Sequence, residues 1–234
     1  MSRLLDESFE GTGYEESWTE TVSAGCTLDE DASIPGTPPP GAGSQCLKAI
    51  VVSGTSLSAF AERIVSNQNI IYARAYVYFE TEGLADTQIS NGILRCNNSA
   101  TDLVFRIQLG QNSGTFQARL QYYSASATQS TAWVNISLGQ WYRFEVQYDT
   151  TNNLWEWRID GVTQHSGSLS ANTRIPNMLI TGILITTSSG TATTYTDLVA
   201  WDDTTWVGVE ILNIITTKLG RRILSEPILS QRVI

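Results

Sequence analysis

The sequence predicts an all-β protein, a sandwich or barrel of antiparallel strands, and three observations carry that prediction. Short runs of alternating apolar and polar residues recur along the chain. Clusters of Gly, Asn, Ser and Thr separate them, and no convincing amphipathic helix longer than two turns intervenes. Hydrophobic residues make up 41% and charged residues 16% of the 234, enough apolar material for one core.

Taken in order, the opening "LLDESFEGTGYEESW" is strand-like. "IPGTPPPGAGSQ" (34–45) is a stiff loop, because proline fixes φ and cannot donate to a ladder, and it yields to the strand "CLKAIVVSG". In "IIYARAYVYFE" (70–80) the period of two sends Ile71, Ala73, Ala75, Val77 and Phe79 inward and Tyr72, Arg74, Tyr76 and Tyr78 outward. "LVFRIQL" (103–109) and "FQARLQYY" (116–123) read as a hairpin across "GQNSGT". Pairing Leu109 with Phe116 sets Ile107 against Ala118 and Phe105 against Leu120, and it puts Arg106 opposite Arg119. Like charges across a ladder repel, so an acidic group from a neighbouring strand or a ligand is expected beside them.

The clearest hairpin is "RFEVQYDTTNNLWEWRIDG" (143–161). Pairing Tyr148 with Trp155 places Val146 opposite Trp157 and Phe144 opposite Ile159. The same register sets Glu145 against Arg158 and Arg143 against Asp160. Both faces agree on it, and such pairs contribute roughly 0.2–1 kcal/mol each. These tryptophans are therefore expected in the core. If strand 70–80 neighbours the 103–123 hairpin in one sheet, Tyr72, Arg74, Tyr76, Tyr78, Arg106 and Arg119 line one outer surface, where aromatic faces stack on sugars and guanidinium forks hold carboxylates or sulfates.

A formal net charge of −9 argues against nucleic acid, which needs a basic footprint. The start lacks the apolar stretch of a secretory signal, and no run approaches eighteen apolar residues, so the expectation is no membrane span and synthesis in a cytoplasm. Cys26, Cys46 and Cys96 form no C-x-x-C pair, which argues against zinc; a Cys26–Cys46 bridge around the Pro/Gly loop stays open.

The segments "LLDESFEGTGYEESW", "YARAYVYFE", "GQWYRFEVQYDTTNNLWEWRIDGVTQHSG" and "YTDLVAWDD" together resemble the concanavalin A-like lectin/glucanase superfamily, in particular its laminin-G-like jelly rolls, over about residues 4–206. The resemblance implies a two-sheet antiparallel β-sandwich with its first and last strands adjacent and glycan bound on the concave sheet or the loops. It also implies a structural calcium near the chain ends in some members, for which Asp6, Glu10, Asp197, Asp202 and Asp203 are the candidate oxygen donors. No other cofactor is expected.

Catalytic signatures are thin. The E-x-D-x-E-like strand of glucanase relatives is missing, and Glu80 and Glu82 stand at a strand end rather than mid-strand. His165 is the single histidine, and no nucleophile elbow accompanies it. Tyr72, Tyr76 and Arg74 have chemistry suited to a lyase. The expectation is nevertheless that the chain is not an enzyme.

Residues 209–234 are a different kind of object, with four Lys/Arg against two Asp/Glu where residues 1–208 hold ten against twenty-one. A segment so rich in Ile, Leu and Val is an aggregation hazard unless it docks, on its own domain, a symmetry mate, or a protein receiving an added strand. Ile211, Ile214, Ile215, Arg221, Arg222, Ile223, Leu224, Ile228 and Leu229 are expected to make that contact. Two parts follow: a jelly-roll domain (1–208) and a C-terminal anchoring tail (209–234). Because laminin-G-like jelly rolls decorate phage particles, the resemblance points to an oligomeric bacteriophage virion protein, attached to other virion proteins or itself through the tail and touching surface glycans. The alternatives are a carbohydrate-binding module or lectin, and then a glycan hydrolase or lyase.

Overall fold

The computed structural model describes residues 3–9, 18–87, 89–90, 92–170, 173–184 and 187–208. The described residues form only strands and connections. They are β1 (Arg3–Glu7), β2 (Thr19–Val22), β3 (Thr27–Ser33), β4 (Gln45–Val51), β5 (Gly54–Thr55) and β6 (Ser58–Ile64), followed by β7 (Ile70–Glu82), β8 (Leu94–Asn97), β9 (Leu103–Asn112), β10 (Thr115–Ser124), β11 (Ala127–Ser130) and β12 (Val134–Asn135). The last six are β13 (Trp141–Asp149), β14 (Leu154–Ile159), β15 (Val162–Ser168), β16 (Met178–Leu184), β17 (Thr187–Ser188) and β18 (Ala192–Asp202).

Two antiparallel sheets make the sandwich. The first runs β15-β14-β13-β7-β18-β4-β3, with β1 also on β18, so the first and last strands are neighbours. The second runs β11-β10-β9-β8-β16-β6-β2, with β12 on β10. Parity sets the core between them. Ile71, Ala73, Ala75, Val77 and Phe79 of β7 meet Phe144, Val146 and Tyr148 of β13 and Trp157 of β14, all at most 1% exposed. The opposite wall is supplied by Phe105, Ile107, Leu120 and Leu179. Tyr148 also ties the sheets together, its hydroxyl donating to the Tyr123 carbonyl at 2.8 Å.

The β13–β14 register matches expectation at Tyr148–Trp155, Val146–Trp157, Phe144–Ile159 and Glu145–Arg158. Its ion pairs do not. Arg143 pairs with Glu145 at 3.1 Å and Arg158 with Glu156 at 2.6 Å, each along its own strand, while Asp160 accepts from the Arg143 backbone N–H. Residues i and i+2 share a face about 6.8 Å apart, a gap that the long arginine side chain spans to reach a carboxylate on its own strand.

The second hairpin slips by two residues from the expected register. Leu109 faces Ala118, Ile107 faces Leu120 and Phe105 faces Tyr122, which leaves Arg106 opposite Gln121 and Arg119 opposite Gln108. The cause is the turn: the strands run on to Asn112 and Thr115, and Ser113 (φ 51°) and Gly114 (φ 77°) alone reverse the chain. A two-residue turn with both φ positive suits the strand twist better than the longer loop. The slip is even, so every side chain keeps its face. A further correction is the sheet itself: β7 belongs to the first sheet and the β9–β10 hairpin to the second. The three cysteines are buried and free, so Cys26 and Cys46 are not bridged; the Cys46 thiol faces the Ala32 carbonyl at 3.4 Å.

Candidate functional site

The face first suggested for sugar is roofed by the chain itself. Arg74 is 0% exposed, and its Nε donates to the Leu198 carbonyl at 3.0 Å and its Nη1 to the Gly208 carbonyl at 2.8 Å. Segment 203–208 thus crosses the outer side of the first sheet, where Trp206 lies 3.7 Å from the Arg158 guanidinium and 5.3 Å from the Tyr72 ring. Tyr76 is buried. Tyr78 packs between Trp141 and Tyr195, and the 34–45 loop closes over it: Trp141 Nε1 donates to Pro35 O, and a Cβ on Gly36 (φ +63°) would meet the Tyr78 ring at 3.2 Å. Burial, with Asp149 and Asp202 nearby, raises the Tyr72 phenol. What reads as a platform in sequence is a covered polar layer.

Arg106 and Arg119 stand on the opposite outer face, in the second sheet, and a third arginine joins them. Arg95 of β8 is the direct cross-strand partner of Arg106. Each guanidinium is held by a neutral amide: Arg95 Nε donates to Asn97 Oδ1 at 2.8 Å, Arg106 Nε to Gln121 Oε1 at 2.7 Å, and Arg119 Nε to Gln108 Oε1 at 2.8 Å. Among the described residues no carboxylate forms an ion pair with any of the three. Burial, followed by repulsion from Arg95 and Arg119, pulls Arg106 down to about 10, and burial lowers Arg95 and Arg119 as well.

Trp133 flanks this row. The Arg119 guanidinium sits 4.2 Å from the indole centroid. The ring approaches the sheet only because residue 110 is glycine: a Cβ there would lie 2.8 Å from Trp133 Cη2. Beside the indole opens a cleft of about 160 Å³ lined by Ile89, Gly110, Gln111, Asn112 and Gln117 among others. A broader depression of about 400 Å³ shares Gln111 and continues past Glu82 and Leu138. The Gln111 Nε2 donates to Glu82 Oε1 at 3.3 Å, while its buried Oε1 has no hydrogen-bond partner among the described residues. Sequence reasoning missed Arg95, because β8 is only four residues long, and it missed Trp133. The available signal for Trp133 was a lone tryptophan in the polar stretch "TQSTAWVNIS", outside any strand pattern.

The other candidates scatter. Asp6 is an exposed partner of Arg74 at 3.9 Å, Asp197 Oδ1 accepts from the Leu198 N–H, and Asp202 Oδ1 accepts from Thr204 and Thr205 in the turn that follows β18. Among the described residues no three His, Cys, Asp or Glu side chains converge as metal ligands. Glu10, and the tail residues Ile211, Ile214, Ile215, Arg221, Arg222, Ile223, Leu224, Ile228 and Leu229, lie outside the described residues. Glu80 accepts from the Tyr195 hydroxyl, and His165 stacks on Trp157 at 6.2 Å. No helix among the described residues is long and apolar enough to cross a membrane.

Neither a protein-family profile nor a curated protein sequence matches this chain. Solved structures share its fold. A sialidase superposes with a TM-score of 0.62 at 13% identity over 86% of this chain, which spans only 18% of that protein. An alginate lyase from Alteromonas sp.272 gives 0.53 at 11% identity, covering 80% of this chain and 94% of the lyase. The CBM2 module of the evolved Dit protein of Lactobacillus casei BL23 phage J-1 gives 0.54 at 11% identity, covering 85% of this chain and 94% of the module. At such identities the likeness establishes a jelly-roll-like β-sandwich. It also corrects the expectation that the chain is not an enzyme, because this sandwich is carried by a lyase along nearly its whole length. A missing glucanase pattern is no ground for excluding catalysis on a fold that hosts several chemistries.

Proposed function

We propose that the chain is a glycan-binding β-sandwich whose ligand lies across the outer face of the second sheet, against Trp133. The observation that carries this reading is the cleft of about 160 Å³ that joins an indole to the amides of Asn112 and Gln117. A sugar ring offers an apolar face for the indole and hydroxyls for the side-chain amides of Asn112 and Gln117. The fold shared with an alginate lyase and a phage carbohydrate-binding module supports it.

The test is a panel of soluble polysaccharides in native affinity electrophoresis, with Trp133→Ala beside the wild type. Wild-type retardation by at least one glycan, lost in Trp133→Ala at unchanged thermal midpoint, is expected. Equal retardation of both proteins would move the site elsewhere. Each retained polymer is then incubated with the protein and assayed for new reducing or unsaturated ends, which separates binding from cleavage.

A second reading keeps the same face and places residues 1–208 on a phage particle, with 209–234 as the attachment; the likeness to the phage J-1 module favours it. Deleting 209–234 should then leave glycan affinity intact and abolish co-sedimentation with the particle. Unchanged co-sedimentation removes the anchoring role.

A further inference from the structure

We propose that the glycan is acidic, its carboxylate or sulfate groups seated on the Arg95–Arg106–Arg119 row; this rests on the glycan reading above. The two outer faces of the sandwich treat arginine in opposite ways. On the first sheet Arg74, Arg143 and Arg158 each have a carboxylate, from Asp6, Glu145 and Glu156. On the second sheet the corresponding acceptors are the amides of Asn97, Gln121 and Gln108.

An amide oxygen orients a guanidinium through Nε without neutralising it, and it leaves the two Nη groups for another acceptor. Among the described residues, none of those Nη groups donates to a protein acceptor, and the field of a carboxylate, Glu62, reaches Arg95 alone. Arg95 and Arg106 are also directly opposed on adjacent strands, about 4.8 Å apart in the pairing direction, with Arg119 one strand further. Like charges so placed destabilise a sheet unless an anion lies between them. A polymer running across the strands past Trp133 meets one cation per strand, and guanidinium forks match planar carboxylates and sulfates. Nucleic acid fits less well, since it requires many phosphate contacts and the chain carries a net charge of −9.

The experiment measures affinity for alginate, polygalacturonate, dextran sulfate, neutral dextran and a single-stranded oligodeoxynucleotide at one salt concentration. Wild type is compared with Gln121→Glu, Gln108→Glu and Arg106→Ala. Uronans, dextran sulfate or both should bind about tenfold or more tighter than dextran, and the choice between them identifies carboxylate or sulfate. Gln121→Glu and Gln108→Glu should each lose about tenfold in that affinity while the thermal midpoint holds or rises, because each supplies an internal counter-charge. A structural role for the amides predicts no such loss. Neutral dextran bound as tightly as the uronans, with both Glu variants like wild type, overturns the acidic preference and leaves the glycan reading standing. Retention of no glycan overturns both. Preference for the oligodeoxynucleotide also overturns the proposal.

Discussion

Removing the Arg74 guanidinium tests how the covered face of the first sheet is held. Arg74 bridges two carbonyls distant from it in sequence: Leu198, 124 residues away in the β18 bulge, and Gly208, 134 residues away in the segment that roofs the sheet. Leu198 itself has φ +48°, a conformation that a leucine keeps only when its surroundings fix it. In Arg74→Met the side chain's volume is largely retained and both charged hydrogen bonds go, each worth about 1.5–3 kcal/mol. The ion pair with the half-exposed Asp6 adds little. Relief from burying a charge offsets part of the loss, so about 3 kcal/mol is expected, at the lower edge of what breaking a buried pair costs. With an m-value near 3 kcal/mol/M, the urea midpoint should fall by about 1 M. Trypsin should also cut at residues beyond 208 faster in the variant. Arg74→Lys, able to reach one carbonyl at a time, should fall roughly half as far. A midpoint within about 0.2 M of wild type for Arg74→Met would show that neither the bulge nor the roof depends on this residue.

Three further outcomes follow from the geometry. Gly110→Ala places a methyl 2.8 Å from Trp133 Cη2, so the indole must leave the sheet; glycan affinity and Trp133 fluorescence should change while stability falls by no more than about 1–3 kcal/mol, and an unchanged affinity would separate the cleft from binding. Burial pushes the Glu156 carboxyl up, but hydrogen bonds from Arg158 and Thr163 outweigh it and hold the group below its ordinary value of 4.5. Its stabilising contribution is therefore present above pH 4.5 and fades as pH falls through the lowered value, so the wild-type urea midpoint should drop more steeply below pH 4.5 than that of Glu156→Gln. Parallel curves would deny Glu156 that role. All three thiols are buried and unbridged, so a thiol reagent should label none rapidly in the native protein and three in denaturant; fewer than three in denaturant would reveal a disulfide.

The β13–β14 hairpin was legible down to its register because two independent patterns, aromatic inside and charged outside, admit the same pairing. The inward set of β7 was legible for the same reason: five small or apolar residues at period two can face only the core. Sheet membership was not. Period-two alternation fixes which face of a strand is buried and carries no information on which of two sheets the strand joins, since both have one face on the same core. The covering of Arg74 and Tyr76 was hidden too, because it comes from Gly208, 134 residues away in sequence from Arg74, through a backbone carbonyl that leaves no side-chain signature.

The arginine row shows how a small error of register conceals a site. In the Leu109–Phe116 pairing, Arg106 and Arg119 repel each other directly and the conflict looks local, as if one nearby acidic strand would settle it. The two-residue turn at Ser113 and Gly114 instead gives each arginine an amide partner for its Nε, so the backbone register no longer sets the two charges face to face. Charge is a separate account from hydrogen bonding. Satisfying Nε with Gln108 and Gln121 leaves the positive charge uncompensated, and Arg95 then adds to it from the other side of β9. No strand neighbouring the row supplies the carboxylate that repulsion calls for among the described residues, whereas the first sheet supplies one to Arg74, Arg143 and Arg158. The requirement for an acidic group survives the correction of the register. It passes from the sheet to whatever the sheet binds.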